Sequence, residues 1–289
     1  MTSGGEKRRK VTISQLQKMK QDKQPIVAIG VYESVTASIA DKYQVQIFMT
    51  GPSGPMSLFG HSNPTAITME EQLCTLRAVS RVTKYALINA HMPFLSYQTS
   101  SRDAVVNAGR LVAEGGADTV KCDATPALFE NIRAIVDSGI PVIAHLGVQA
   151  LRRVEQSGYG LKGATSDQAK KLLDDAHYLS ETGVFALLLE HVCADVVELI
   201  ARNLDIPVLS LGSGGRGDGV SIVAGDLLSY SAFKRPAHAG QMADLMADIE
   251  NSLAAYATAV RNGSYPHADG APTMQDEEFK NFMERHDNN

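Results

Sequence analysis

ADTVKCDA at residues 117–124 and VFALLLEHV at residues 184–192 are apolar runs that end in charged side chains. A run apolar on both faces suits a parallel strand covered on both sides, and a charged end suits a strand that opens onto a site. Outward from these two, the same phrase recurs. It reads IVAIGVY (26–32), VQIFMTGPS (45–53), YALINAHMPF (85–94), IPVIAHLG (140–147), IPVLSLGSG (206–214) and, more weakly, SIVAGDLLSY (221–230). Helical stretches lie between the runs, near 35–43, 69–82, 101–115, 126–138, 166–182 and 194–204. Ser101, Thr125 and Thr165 or Ser166 are expected helix N-caps. Gly115-Gly116, Gly139 and Gly183 end helices just before the next strand.

Seven or eight such units with no break in composition predict one α/β domain, a closed (β/α)8 TIM barrel. The competing architecture is an open doubly wound sheet. The expected organisation is a flexible leader over 1–10, the barrel over 11–266 and a polar tail over 267–289. A final helix is read over 238–262, where Met242, Leu245, Met246, Ile249, Leu253 and Tyr256 keep helical spacing. The tail is expected to be mobile or to clasp a neighbouring subunit.

The chain has 289 residues and a net charge of −5, which argues against a nucleic-acid partner. No apolar run approaches the roughly 18 residues that span a membrane. Three scattered cysteines, Cys74, Cys122 and Cys193, and no secretory leader point to a reducing, cytoplasmic setting.

A barrel gathers its chemistry at the C-terminal ends of its strands. The polar groups there are Tyr32, Glu33, Ser53, His91, Lys121, Asp123, His145, Glu190 and Ser213. Lys121 and Asp123 stand two apart in a strand and share a face. A carboxylate base beside a cation is what proton abstraction next to a carbonyl requires. Each residue also has a plain structural reading. His145 suits a buried structural histidine, Lys121 an ion-pair partner, His91 a strand cap and His61 a turn. His177 and His238 read as surface residues, and His191 is expected to point away from Glu190. Glu190 is the hardest to explain structurally, since a carboxylate after so apolar a strand is costly to bury. Gly212–Gly217 fits GxGxxG but comes late and lacks the acidic residue that a dinucleotide site wants, so its backbone amides are read as facing an anionic group.

In order, TISQLQKMKQ, VYES, GPSGPM…GH, MPFLSY, GGADTVKCD, IPVIAHLG, SGYGLKG, LLLEHV, IPVLSLGSG…DG and SYP resemble the ketopantoate hydroxymethyltransferase family, within the phosphoenolpyruvate mutase/isocitrate lyase superfamily. The likeness runs collinearly from about Val11 to Pro266. It implies a metal-dependent hydroxymethyltransferase that moves a one-carbon unit from 5,10-methylenetetrahydrofolate to 2-oxoisovalerate or a related 2-oxo acid. By the family pattern Glu190 is the base at C3, and Lys121 and His145 line the substrate pocket. Tyr32, Ser53 and Ser213 belong to the substrate-binding set, and Asp123 stands where a glutamate supports the metal. A homo-oligomer, a decamer in the family, is implied as well.

The departures are specific. Gly51-Pro52-Ser53 replaces a G-D-S motif, and Ala90-His91-Met92-Pro93-Phe94 replaces A-D-x-P-F. Both aspartates that bind the family's metal directly are therefore changed. Lys162 stands in the loop after Gly158-Tyr159 where the family carries arginine. His91 and Asp123 are left as the metal-binding candidates, a set poor for magnesium and better for zinc, iron, cobalt or nickel. Two further readings keep the barrel: a lyase, decarboxylase or rearrangement enzyme, and a metabolite-binding protein without catalysis.

Overall fold

The computed structural model describes residues 9–231, 233, 235–236, 239–266 and 271–286. Most of the expected leader, much of the expected tail and His238 lie outside the described residues. The chain divides into two compact units, one reaching to Ala243 and one from Asp244 onward.

The first unit is a closed barrel of eight parallel strands in sequence order. A short α1 (Ile13–Gln21) precedes β1 (Ile26–Gly30), α2 (Ser34–Lys42) and β2 (Ile47–Thr50). Then come α3 (Ser53–Phe59), α4 (Met69–Ser80), β3 (Leu87–His91), α5 (Ser101–Ala113), β4 (Thr119–Asp123) and α6 (Phe129–Asp137). The ring is completed by β5 (Val142–Gly147), α7 (Ser166–Thr182), β6 (Ala186–Glu190), α8 (Ala194–Asn203), β7 (Val208–Leu211), β8 (Gly219–Val223) and the short α9 (Ala224–Leu227). β8 pairs with β1 from Ile26↔Gly219 to Gly30↔Val223, so no edge is left open and the doubly wound alternative is excluded. The second unit contains α10 (Leu245–Arg261) and α11 (Asp276–His286). The helix expected over 238–262 is α10, with no buried residue.

Strand alternation builds two apolar layers. Ile26, Ala28, Ile47, Met49, Leu87, Ile143, Ala186, Leu188 and Leu209 fill the barrel interior. Residues between them on the strands, such as Val120, Cys122, Ala144, Leu187 and Leu189, pack outward with Leu111, Ile132, Leu179 and Ile200 of the helices. The same alternation turns Thr119, Lys121 and Asp123 inward together.

Helix ends follow local chemistry. Thr68 and Glu71 form a reciprocal capping box on α4. Thr165 caps α7 as expected, and Gly183 ends it in the left-handed region at φ 94°. The cap of α5 is Ser100 and not Ser101, because the Ser100 side chain accepts from Asp103 N–H while Ser101 binds Asn131. Thr125 leads only a 3-10 turn and makes no side-chain cap.

Candidate active site

The inward positions at the C-terminal ends of β3, β4, β5 and β6 carry His91, Lys121 with Asp123, His145 and Glu190. Strand register ties these neighbours: His91 is level with Lys121, and Asp123 with His145. They form one connected cluster. His91 Nε2 lies 3.1 Å from Asp123 Oδ1, and His145 Nδ1 lies 3.0 Å from the same oxygen. Lys121 Nζ is 2.9 Å from His145 Nδ1, and His145 Nε2 is 3.1 Å from Glu190 Oε2. An ionised carboxylate only accepts, so the Nε2–H of His91 donates to Asp123. His145 Nδ1 faces both an ammonium, which only donates, and a carboxylate, which only accepts. With its proton on Nδ1 it donates to Asp123, and Lys121 then adds its charge beside the ring without a hydrogen bond to that nitrogen. The contact of His145 Nε2 with Glu190 is close but lacks the alignment of a hydrogen bond.

All but Glu190 are deeply buried; the Glu190 side chain keeps 18% exposure, enough to meet an entering molecule. Burial, aided by the Lys121 charge, pushes His91 down to about 4, so its ring is neutral at neutral pH. Burial also lowers Lys121, against the pull of Asp123 and Glu190. For Asp123 burial acts upward, but the attraction of the His91 imidazole and the hydrogen bonds from His145 and His91 overcome it. Its carboxyl is held well below the ordinary carboxylate range. Asp123 Oδ2 nevertheless has no hydrogen-bond partner.

Secondary contacts hold the cluster in place. Gln149 donates to the backbone oxygens of His145 and Ala124, and the Tyr97 hydroxyl donates to Asp123 O. Gly147 closes β5 at φ 90°, and a Cβ there would lie 2.3 Å from Glu190 O. Only glycine lets β5 approach the end of β6 so closely.

Other expected residues lie near the same strand ends. Tyr32, after β1, is buried, and its hydroxyl donates to Tyr230 O at 2.9 Å. Ser53 begins α3. Ser213 accepts from Val192 N–H at 2.9 Å and donates to Leu189 O at 2.8 Å, which fastens the turn after β7 to β6. Glu33 caps α2 by accepting from the N–H groups of Val35 and Thr36. His61 pairs with Glu71 at 2.7 Å, and His177 lies within α7.

Asp226 is a buried carboxylate near the mouth that the sequence reading did not single out. It follows β8 in α9, is buried with Oδ1 unpartnered, and burial pushes it up to about 6. Arg235 opposes this and the Glu190 charge reinforces it. The signal was present, a carboxylate set in the apolar run 221–230, as with Glu190.

The donor set does not suit a divalent cation. Among the described residues no three His, Cys, Asp or Glu side chains converge to hold one. Pro52 offers no donor, and with His91 it lines a small pocket completed by Pro64, Ile67, Gln72, Met92, Pro93 and Leu151. Magnesium requires an octahedron of hard oxygens, which three proline rings, aliphatic side chains, a thioether, an imidazole and the single amide of Gln72 do not supply.

A closed barrel with an acid–base cluster at its mouth is the scaffold of a barrel enzyme. A profile of the ketopantoate hydroxymethyltransferase family matches residues 10–268, and this chain belongs to that family. It is 39% identical over 259 residues to the 3-methyl-2-oxobutanoate hydroxymethyltransferase of Moorella thermoacetica, covering 90% of this chain and 96% of that one. Against the enzyme of the same name from Nitrosopumilus maritimus the identity is 35% over 274 residues, covering 95% and 98%. Among solved structures, phosphonopyruvate hydrolase superposes with TM-score 0.60 at 12% identity over 96% of each chain, a likeness of fold. The same enzyme with oxalate and Mg++ gives 0.58 at 12% identity, again over 96% of each chain. No helix among the described residues is long and apolar enough to cross a membrane.

Proposed function

We propose that this chain transfers a hydroxymethyl group from 5,10-methylenetetrahydrofolate to C3 of a 2-oxo acid, 2-oxoisovalerate or a close relative, through an enolate. One observation carries the reading. Glu190, a carboxylate open to an entering molecule, is joined through His145 to a buried ammonium and a second carboxylate at one barrel mouth. Glu190 takes the C3 proton, and the C–H electron pair moves onto the keto oxygen. Water releases the one-carbon unit from folate at the oxidation level of formaldehyde; both of its bonds to folate nitrogen break, and each nitrogen takes a proton. The enolate carbon bonds to that carbon, the C=O pair moves onto its oxygen, and the proton held by Glu190 completes the hydroxyl. Lys121 and His145 line the pocket and stabilise the oxygen that gains charge. Ser53 and Tyr32 hold the substrate's polar end, and Ser213 acts on it through the backbone turn that it fastens.

The family's divalent metal would supply Lewis-acid polarisation of the keto group. His91 and Asp123 are the donors left to hold it, and their surroundings do not fit it, so no step here runs through a metal. A homo-oligomer, a decamer by the family resemblance, belongs to the same reading. In support, Val27 and Val220, paired on β1 and β8, are each 49% exposed on the outer face of the barrel. A cytoplasmic location is inferred from three free cysteines spread over the chain.

The test is C3 proton exchange of 2-oxo acids in heavy water, followed by addition of methylenetetrahydrofolate and detection of the hydroxymethylated acid. Glu190→Gln is expected to lower exchange by about 10²–10⁴-fold with an unchanged unfolding transition. A variant that exchanged at the native rate would remove Glu190 from the role of base.

A further inference from the structure

The two substituted positions are not independent losses. Pro52 and His91 line one pocket, so they meet where the family pattern calls for two aspartates around a cation. The charges balance as well. Removing two carboxylates together with a divalent cation leaves the net charge of the mouth where it was. A single aspartate lost on its own would unbalance the site; the paired loss does not.

The residues present at the mouth contact one another. A carboxylate buried as deeply as Asp123 is costly unless it is paired. Here Oδ1 sits between the imidazoles of His91 and His145, 3.1 and 3.0 Å away. His91 therefore meets a need that an aspartate at its position would aggravate. The fixed positive charge of the cluster is the Lys121 ammonium, one ring away from Glu190 through His145. A buried ammonium acts strongly on charge that develops beside it, because little water screens it.

We propose that this barrel mouth works without a divalent cation: Asp123 bridges the His91 and His145 imidazoles, and Lys121 supplies the positive charge that faces the enolate oxygen. The proposal rests on the enolising reading given above. Its main test is made on the protein alone, so the two fail separately.

Native protein is dialysed against chelator and then equilibrated with Mg, Mn, Zn, Co, Ni or Fe(II), and bound ion is measured by elemental analysis. Manganese binding is followed in parallel by the loss of the free-ion paramagnetic resonance signal. The expected result is no stoichiometric ion of any kind, with C3 exchange unchanged by chelator. One ion per chain on the native protein, lost in His91→Ala, would overturn the proposal. The double variant P52D/H91D, shown folded by circular dichroism, is expected to gain one manganese per chain. If it binds no more than the native protein, the claim that these two positions removed the cation is refuted.

Discussion

The two ends of the barrel treat their buried and half-buried carboxylates in opposite ways. At the N-terminal end, Asp41 accepts from the backbone N–H groups of Lys84, Tyr85 and Ala86, which lead into β3. Asp118 binds Ile88 N–H and Lys10, and Asp218 binds Val208 N–H and Lys20. These aspartates are satisfied by the chain itself and fasten one strand to the next. At the C-terminal end Asp123 Oδ2 and Asp226 Oδ1 are buried without a partner. A buried group left unpaired costs about 1–3 kcal/mol. The C-terminal end thus carries carboxylate oxygens whose acceptor capacity the chain itself does not use.

That contrast can be broken in three places. Lys121→Met at the mouth is expected to lower C3 exchange by about 10²–10³-fold, the scale for losing one group that opposes developing charge. Steady-state exchange with the folded variant checks it. Asp41→Ala at the base leaves three backbone N–H groups without their acceptor. It is expected to cost about 2–4 kcal/mol in denaturant unfolding while exchange per folded molecule stays at the native rate. A loss of exchange with unchanged stability at Asp41 would erase the distinction between the ends.

The smallest effect concerns pH. Burial raises Asp226 to about 6 from 3.8, so the folded chain keeps a proton that the unfolded chain releases between those values. The raised acid thus stabilises least once pH has risen through about 6. Asp226→Asn carries no such penalty, so its stability relative to native should rise by about 2 kcal/mol between pH 4 and pH 7.5. Thermal unfolding at the two pH values measures it. A constant difference would show that Asp226 is solvated like an ordinary aspartate.

Much of this was legible in the sequence because it depends on short-range regularities. Lys121 and Asp123 share a face because strands alternate, and Glu190 stood out because it ends an apolar run. Contacts between elements were not legible. Nothing in a chain order that separates His91 from Asp123 by a helix shows that the two side chains meet at 3.1 Å. Nor does chain order show that the Ser213 hydroxyl joins Leu189 O of β6 to Val192 N–H just after it. Asp226 was overlooked because the weakest of the eight runs drew the least attention to its charged residue. The exchange of Ser101 for Ser100 as a cap is a slip of one residue, set by which serine finds Asn131 within reach.

The central claim is that Glu190, poised against His145 and Lys121, enolises a 2-oxo acid. The most direct measurement is deuterium incorporation at C3 of 2-oxoisovalerate by native protein beside Glu190→Gln, with folate absent. The account predicts exchange by the native protein and its near loss in the variant. Absence of exchange by the native protein with every 2-oxo acid tried, or equal exchange by both proteins, would contradict it.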